Sequence, residues 1–130
     1  MFKITILLLL LTASYNVCAT IKSYDIELIS CYDGDTCTVD LKGVAKIWGH
    51  NRKIRLLGID TPEMRGSAKL EAIKARDALL YHLHKQKLRI EINENKPCDN
   101  FGRLLVVLYA NKTNINLLML KLGLAKEYMK

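Results

Sequence analysis

Residues 54–66 read Ile-Arg-Leu-Leu-Gly-Ile-Asp-Thr-Pro-Glu-Met-Arg-Gly, and no other stretch constrains the chain as much. The apolar run predicts a strand buried on most sides. Arg55 interrupts it, and a charge inside such a run must meet a partner or a ligand. Pro62 ends the run, so Asp60 and Glu63 gather where the strand stops. An arginine and two carboxylates this close supply the parts that phosphoryl transfer needs. These are an oxygen ligand for a hard cation, a group that can take a proton from water, and a fixed positive charge facing a phosphate.

Two further stretches answer this one. Asp33-Gly34-Asp35-Thr36 stands upstream, and Asp99-Asn100-Phe101-Gly102-Arg103 stands downstream. Alone, the first reads as a hairpin turn, where Asp and Gly are common for backbone reasons. Beside Asp60 it gains a second meaning, because carboxylates from two strand ends can share a calcium ion. The downstream turn delivers a second arginine. Paired guanidiniums grip phosphate oxygens bidentately and follow charge as it builds.

Taken in order, these motifs resemble the staphylococcal nuclease (thermonuclease) family. That family shows Asp-Gly-Asp-Thr, then Arg followed by Asp-x-Pro-Glu, then a Gly-Arg turn. The resemblance runs over residues 24–128. It implies a Ca2+-dependent endonuclease that acts on single-stranded or breathing DNA and RNA and leaves 3′-phosphate ends. It also assigns roles. Asp35 and Asp60 bind the metal by side chain, and Thr61 by its backbone carbonyl. Glu63 is the general base, Arg55 and Arg103 hold the phosphate, and Asp33 is a turn residue. The alternative is a nucleic-acid-binding module of the same fold without catalysis. All five catalytic and acidic positions standing together favour the enzyme.

The chain departs from the family in several places. Asn100-Phe101 replaces the usual basic residue and tyrosine before Gly-Arg. A phenyl ring can pack on sugar or base but offers no hydroxyl to a phosphate, so a changed substrate affinity is expected. Tyr128 lies near the family's base-stacking tyrosines. The loop over residues 64–67 is short, which predicts a more open rim. The sequence reaches Lys130 without the third helix of the best-known members, and a difference in stability and in part of the substrate groove is expected from that.

The first residues read as an address. Lys3 precedes an apolar run over residues 4–11, and Val17-Cys18-Ala19 suits a signal peptidase. A signal peptide over residues 1–19 and a single domain over residues 20–130 are expected, with a periplasmic or secreted monomer as the product. The apolar core is short for a membrane anchor. Cleavage lowers the formal net charge from +7 to +6, because the segment holds one Lys and no acid. A basic exported domain fits an anionic partner. Export leaves Cys31, Cys37 and Cys98 in an oxidising compartment. Cys31 and Cys37 lie symmetrically about Gly34. A cross-strand disulfide and a pair of small buried thiols are both open readings. Their spacing is wrong for a zinc site.

The remaining pattern predicts strands over residues 24–31, 37–41, 53–59, 88–92 and 104–109. Residues 42–51 read as a looser excursion. Ser67 is placed as the N-cap of a helix that buries Ala68, Ala72, Ala75, Leu79 and Leu83 and ends near residues 84–87. A short helix over residues 115–122 ends at Gly123. The expected fold is α+β and mainly β: a five-stranded OB-fold-type barrel with a helix after strand 3 and a short helix after strand 5. His82 and His84 are two apart on a helix and share no face, and His50 sits in a loop. A histidine-based mechanism is not expected.

Overall fold

The computed structural model describes residues 20–129. The expected signal peptide lies outside them. The strands are β1 (Ile21–Cys31), β2 (Thr36–Leu41), β3 (Arg52–Leu56), β4 (Ile59–Asp60), β5 (Leu88–Asn93), β6 (Leu104–Ala110), β7 (Thr113–Asn114) and β8 (Lys126–Glu127). The helices are α1 (Lys46–Gly49), α2 (Lys69–Leu83) and α3 (Ile115–Lys121). No helix among the described residues is long and apolar enough to cross a membrane.

Five strands close into a barrel in the order β3-β2-β1-β5-β6, and a parallel pairing of β3 with β6 shuts it. The long β1 makes closure possible. Its first half pairs with β5 and its second half with β2, and Ile26 faces both Leu88 and Leu41. A register shift between Leu28 and Ser30 bends it there. Alternation sorts the side chains. Leu104, Val106, Leu108 and Ala110 of β6 point inward, as do Leu88, Ile90 and Ile92 of β5. With Val39, Ile54 and Leu56 they form the core.

Helix α2 packs Ala72, Ala75, Leu79 and Leu83 inward, the face that its spacing predicts except for Ala68, which precedes the helix and is half-buried. The two alanines on this face allow close approach, and Leu79 supplies bulk. A fully buried side chain of that size contributes about 1.5–3 kcal/mol. Helix α3 adds Ile115 and Met119. Its N-cap is Asn114, whose Oδ1 accepts the Leu117 N–H at 3.1 Å. Gly123 follows its end with φ +70°, as the sequence predicts.

The expected fold is therefore the observed one, with local corrections. The strand predicted over residues 53–59 breaks at Leu57-Gly58, where Gly58 turns with φ +80°, and resumes as the two residues of β4. The excursion over residues 42–51 holds the helical turn α1 instead of a plain hairpin tip. Ser67 does not cap α2; it sits in a 3-10 turn, and Ala68 takes the N-cap position without a side-chain bond.

Candidate active site

The break in the third strand builds the site. Arg55 leaves the outer face of β3 opposite Thr36 of β2. Beyond Gly58 the chain returns beside it as β4, which carries Asp60. The turn between β1 and β2 brings Asp35 to the same place. Leu56 N–H donates to the Asp35 carbonyl at 2.8 Å, so the turn and β3 are locked together by backbone.

Arg55 is the hub. Its Nη1 lies 3.2 Å from Asp35 Oδ2, and its Nη2 lies 3.2 Å from Asp60 Oδ1. Nη1 also donates to the carbonyls of Leu56 at 3.0 Å and Ile59 at 2.9 Å. The charge that the sequence left unresolved is thus met by two carboxylates and two carbonyls. Asp35 is buried, and its Oδ2 also accepts the Thr61 N–H at 2.9 Å. Its Oδ1 accepts the Thr36 hydroxyl at 3.0 Å. Asp60 is half-buried and engages Arg55 through Oδ1.

Asp33 plays the turn role expected of it: its Oδ1 accepts the Asp35 N–H at 3.1 Å. Burial pushes the Asp33 carboxyl up to about 6, and the negative charge of Asp35 adds to the effect.

The structure brings Asp35, Arg55, Asp60 and Thr61 together. Glu63 and Arg103 instead make their ion pairs with Arg65 and Asp99. Glu63 stands in solvent, 68% exposed, with Oε2 accepting from Arg65 Nε at 2.7 Å. Arg103 donates from Nε to Asp99 Oδ2 at 2.7 Å, and its guanidinium lies 5.3 Å from the Phe101 ring centre. The parallel register sets Arg55 against Leu105, and Arg103 stands just before the start of β6, two residues from Leu105.

Two parts of the site have little signature in the sequence. The first is β8. Lys126 pairs with Asp60, Glu127 with Ile59, and the Tyr128 N–H donates to the Gly58 carbonyl at 2.9 Å. This docking sets the Tyr128 ring 5.9 Å from the Arg55 guanidinium carbon. It also lines a cavity of ≈ 460 Å3 between residues 123–126 and the Asp60-Glu63 segment. The second is Asn116, buried in α3. It donates from Nδ2 to the carbonyls of Leu57 and Val106 and accepts the Leu108 N–H. It thereby pins the turn that precedes Asp60. The signal was a lone amide in the apolar run over residues 115–120.

The donor set suits a hard cation. Asp35 and Asp60 turn carboxylate oxygens toward one guanidinium, and the buried Thr61 hydroxyl has no hydrogen-bond partner among the described residues. No group of three acidic, His or Cys side chains close enough to hold a metal occurs among the described residues. A cation held by this pair would need its other ligands from backbone oxygen and water.

The family model described as staphylococcal nuclease homologue matches residues 53–130. The chain belongs to that family. The family's matched region contains the Arg55-to-Glu63 motif and the Arg103 turn, and the Asp35 turn is folded against the first of these. Among similar proteins, an "Uncharacterized endonuclease" of Haemophilus influenzae is 34% identical over 121 residues, covering 93% of this chain and 61% of that protein. A "Thermonuclease" of Staphylococcus intermedius is 30% identical over 97 residues, covering 72% of this chain and 54% of that protein. This nuclease-family chain thus spans somewhat over half the length of the curated relatives it matches.

Proposed function

We propose that this chain is a Ca2+-dependent nuclease that hydrolyses phosphodiester bonds of DNA and RNA, leaving 3′-phosphate ends. Asp35 and Asp60, with the Thr61 carbonyl, are the groups that would hold the cation. When bound, it would polarise a phosphoryl oxygen and offset negative charge. The observation that carries the reading is the Asp35–Arg55–Asp60 network, with the exposed Glu63 lining the same cavity as Asp60 and Thr61.

Glu63 accepts a proton from water through its carboxylate while the water oxygen bonds to phosphorus. Arg65 occupies Oε2, so Oε1 is the oxygen left for that task. The bond from phosphorus to the 5′-oxygen breaks, and that oxygen leaves as an alcohol after taking a proton from solvent. Arg55, anchored on four oxygens, presents a fixed positive field to the charge that builds on phosphorus. Arg103 adds a second positive charge from the turn that leads into β6. The exposed Phe101 and the half-exposed Tyr128 suit stacking on unpaired bases, which fits single-stranded or breathing substrate. The address read over residues 1–19 supports export to the periplasm or medium.

A second reading has its own observation. Glu63 and Arg103 are both committed to ion pairs outside the cluster, as a binding module without catalysis would keep them. End-group analysis separates the two. The nuclease reading expects cut strands that a polymerase extends only after phosphatase treatment. Intact strands retained by the protein would support the binding module.

A further inference from the structure

The turn that carries Asp35 is closed at its base by a covalent bond. Cys31 and Cys37 are cross-strand partners at the ends of β1 and β2, with Cα atoms 3.9 Å apart, and they form a disulfide. Residues 32–36 lie inside the ring that it closes. Within the ring, one backbone bond runs from the Tyr32 N–H to the Thr36 carbonyl at 2.9 Å. Beyond it, Asp35 reaches outward to Leu56, Thr61 and Arg55, as described above.

This placement answers a physical difficulty. Asp33 and Asp35 repel each other, and Asp35 is a carboxylate only 4% exposed. A frayed hairpin end would let Asp35 turn to water and recover its hydration, and strand ends open at low free-energy cost. Covalent closure removes most of those open conformations. The turn is also pressed inward. A Cβ at Gly34 would lie 2.8 Å from Ala75 Cβ and 2.9 Å from Thr61 Cγ2, so the ring is seated on α2 and on the segment that follows Asp60.

We infer that the Cys31–Cys37 disulfide is a positioning pair for the candidate site: it holds the Asp35 carboxylate against Arg55 and Thr61, and its reduction loosens that carboxylate while the barrel stays folded. The inference rests in part on the nuclease reading, since it links cation binding and cleavage to the oxidised state. Reduction by a phosphine is balanced. The S–S bond breaks, water supplies two protons and an oxygen, phosphorus gives two electrons and becomes the oxide, and two thiols remain. Cys37 is buried, whereas Cys31 is partly exposed and offers the sulfur that is attacked.

The test compares oxidised and phosphine-reduced protein in a Cys98→Ala background, which removes the third described thiol. Amide hydrogen exchange is read at Thr61, which donates to Asp35 Oδ2, and at Ile90 in the core. Reduction should speed Thr61 exchange by about ten-fold or more and leave Ile90 protected. The Ca2+ concentration for half-maximal cleavage of single-stranded DNA should rise about ten-fold, with kcat recovering at saturating Ca2+. Unchanged Thr61 exchange in the reduced protein overturns the inference. Equal loss of protection at Ile90 also overturns it, because the bond would then support the whole fold. An oxidised protein that never cuts DNA refutes the nuclease reading, and the exchange data still decide the positioning role.

Discussion

Arg55 and Asp35 form a buried ion pair, with Nη1 3.2 Å from Oδ2 and side chains 12% and 6% exposed. Such a pair is strongly destabilising to break, because either partner left alone is an uncompensated charge in a poorly hydrated place. The guanidinium also satisfies two backbone carbonyls at the break in the third strand. Arg55 is thus a structural keystone as well as a candidate phosphate ligand.

Arg55→Ala is expected to lower stability by about 3–5 kcal/mol, as read by urea denaturation. Arg55→Lys keeps the charge but cannot span two carboxylates and two carbonyls, and about half that loss is expected. The sequence alone suggests that Lys costs turnover more than folding. The four-bond network changes that expectation for Arg55. For the more exposed Arg103, Lys should cost turnover with a stability change near 0.5 kcal/mol.

Gly34→Ala tests the seat of the acidic turn. The added methyl meets Ala75 and Thr61 at under 3.0 Å, so the turn must lift from α2. A loss of about 1–3 kcal/mol is expected from overpacking. Asp35 moves with the turn, so cleavage should fall by more than the unfolded fraction accounts for. A thermal melt run beside an activity assay separates the two effects.

The fold and half of the site were legible for identifiable reasons. A charge inside residues 54–59 had to be neutralised, which made Arg55 and Asp60 conspicuous. Ala72, Ala75, Leu79 and Leu83 stand at helical spacing, so the buried face of α2 was readable. Asp35 became readable once Asp60 gave its turn a partner. The break at Leu57-Gly58 was hidden, because it depends on Asn116 reaching the Leu57 carbonyl across the structure. Strand β8 was hidden because Lys126 and Glu127 are exposed and show no alternation. The Cys31–Cys37 bond was one of two open readings, since only the hairpin register makes the two residues partners. The ion pairs of Glu63 with Arg65 and of Arg103 with Asp99 bind neighbours close in sequence, where no periodicity marks them.

Asn116→Leu should cost about 2–4 kcal/mol. It leaves the Leu57 and Val106 carbonyls and the Leu108 N–H without their side-chain partner. The turn before Asp60 loosens with it, so faster amide exchange around Ile59 and Asp60 is the local signature.

Asp99 predicts a pH effect. Burial would raise its carboxyl, but N–H donors from the Arg103 backbone, Arg103 Nε and the Phe101 backbone outweigh it and hold the group below the usual 3.8. A depressed carboxylate stabilises the fold above its ordinary value and loses that contribution as pH falls through the lower one. Asp99→Asn should therefore be less stable by about 1 kcal/mol near neutral pH. The gap should stay constant above about pH 5 and close toward strong acid. Urea midpoints of both proteins across pH 2–8 would show it.

The central claim is that the Asp35–Arg55–Asp60 cluster, with Glu63 beside it, cuts phosphodiesters with calcium. The most direct measurement is cleavage of single-stranded DNA by the purified chain without residues 1–19, with calcium or with excess chelator, beside Glu63→Gln. The account predicts cleavage that stops with chelator and falls by about 10²–10⁴ in the variant. Stability should hold within about 0.5 kcal/mol, because Glu63 is a surface residue. Folded protein that binds the strand and leaves it whole with calcium, or cleavage equal in wild type and Glu63→Gln, would contradict it.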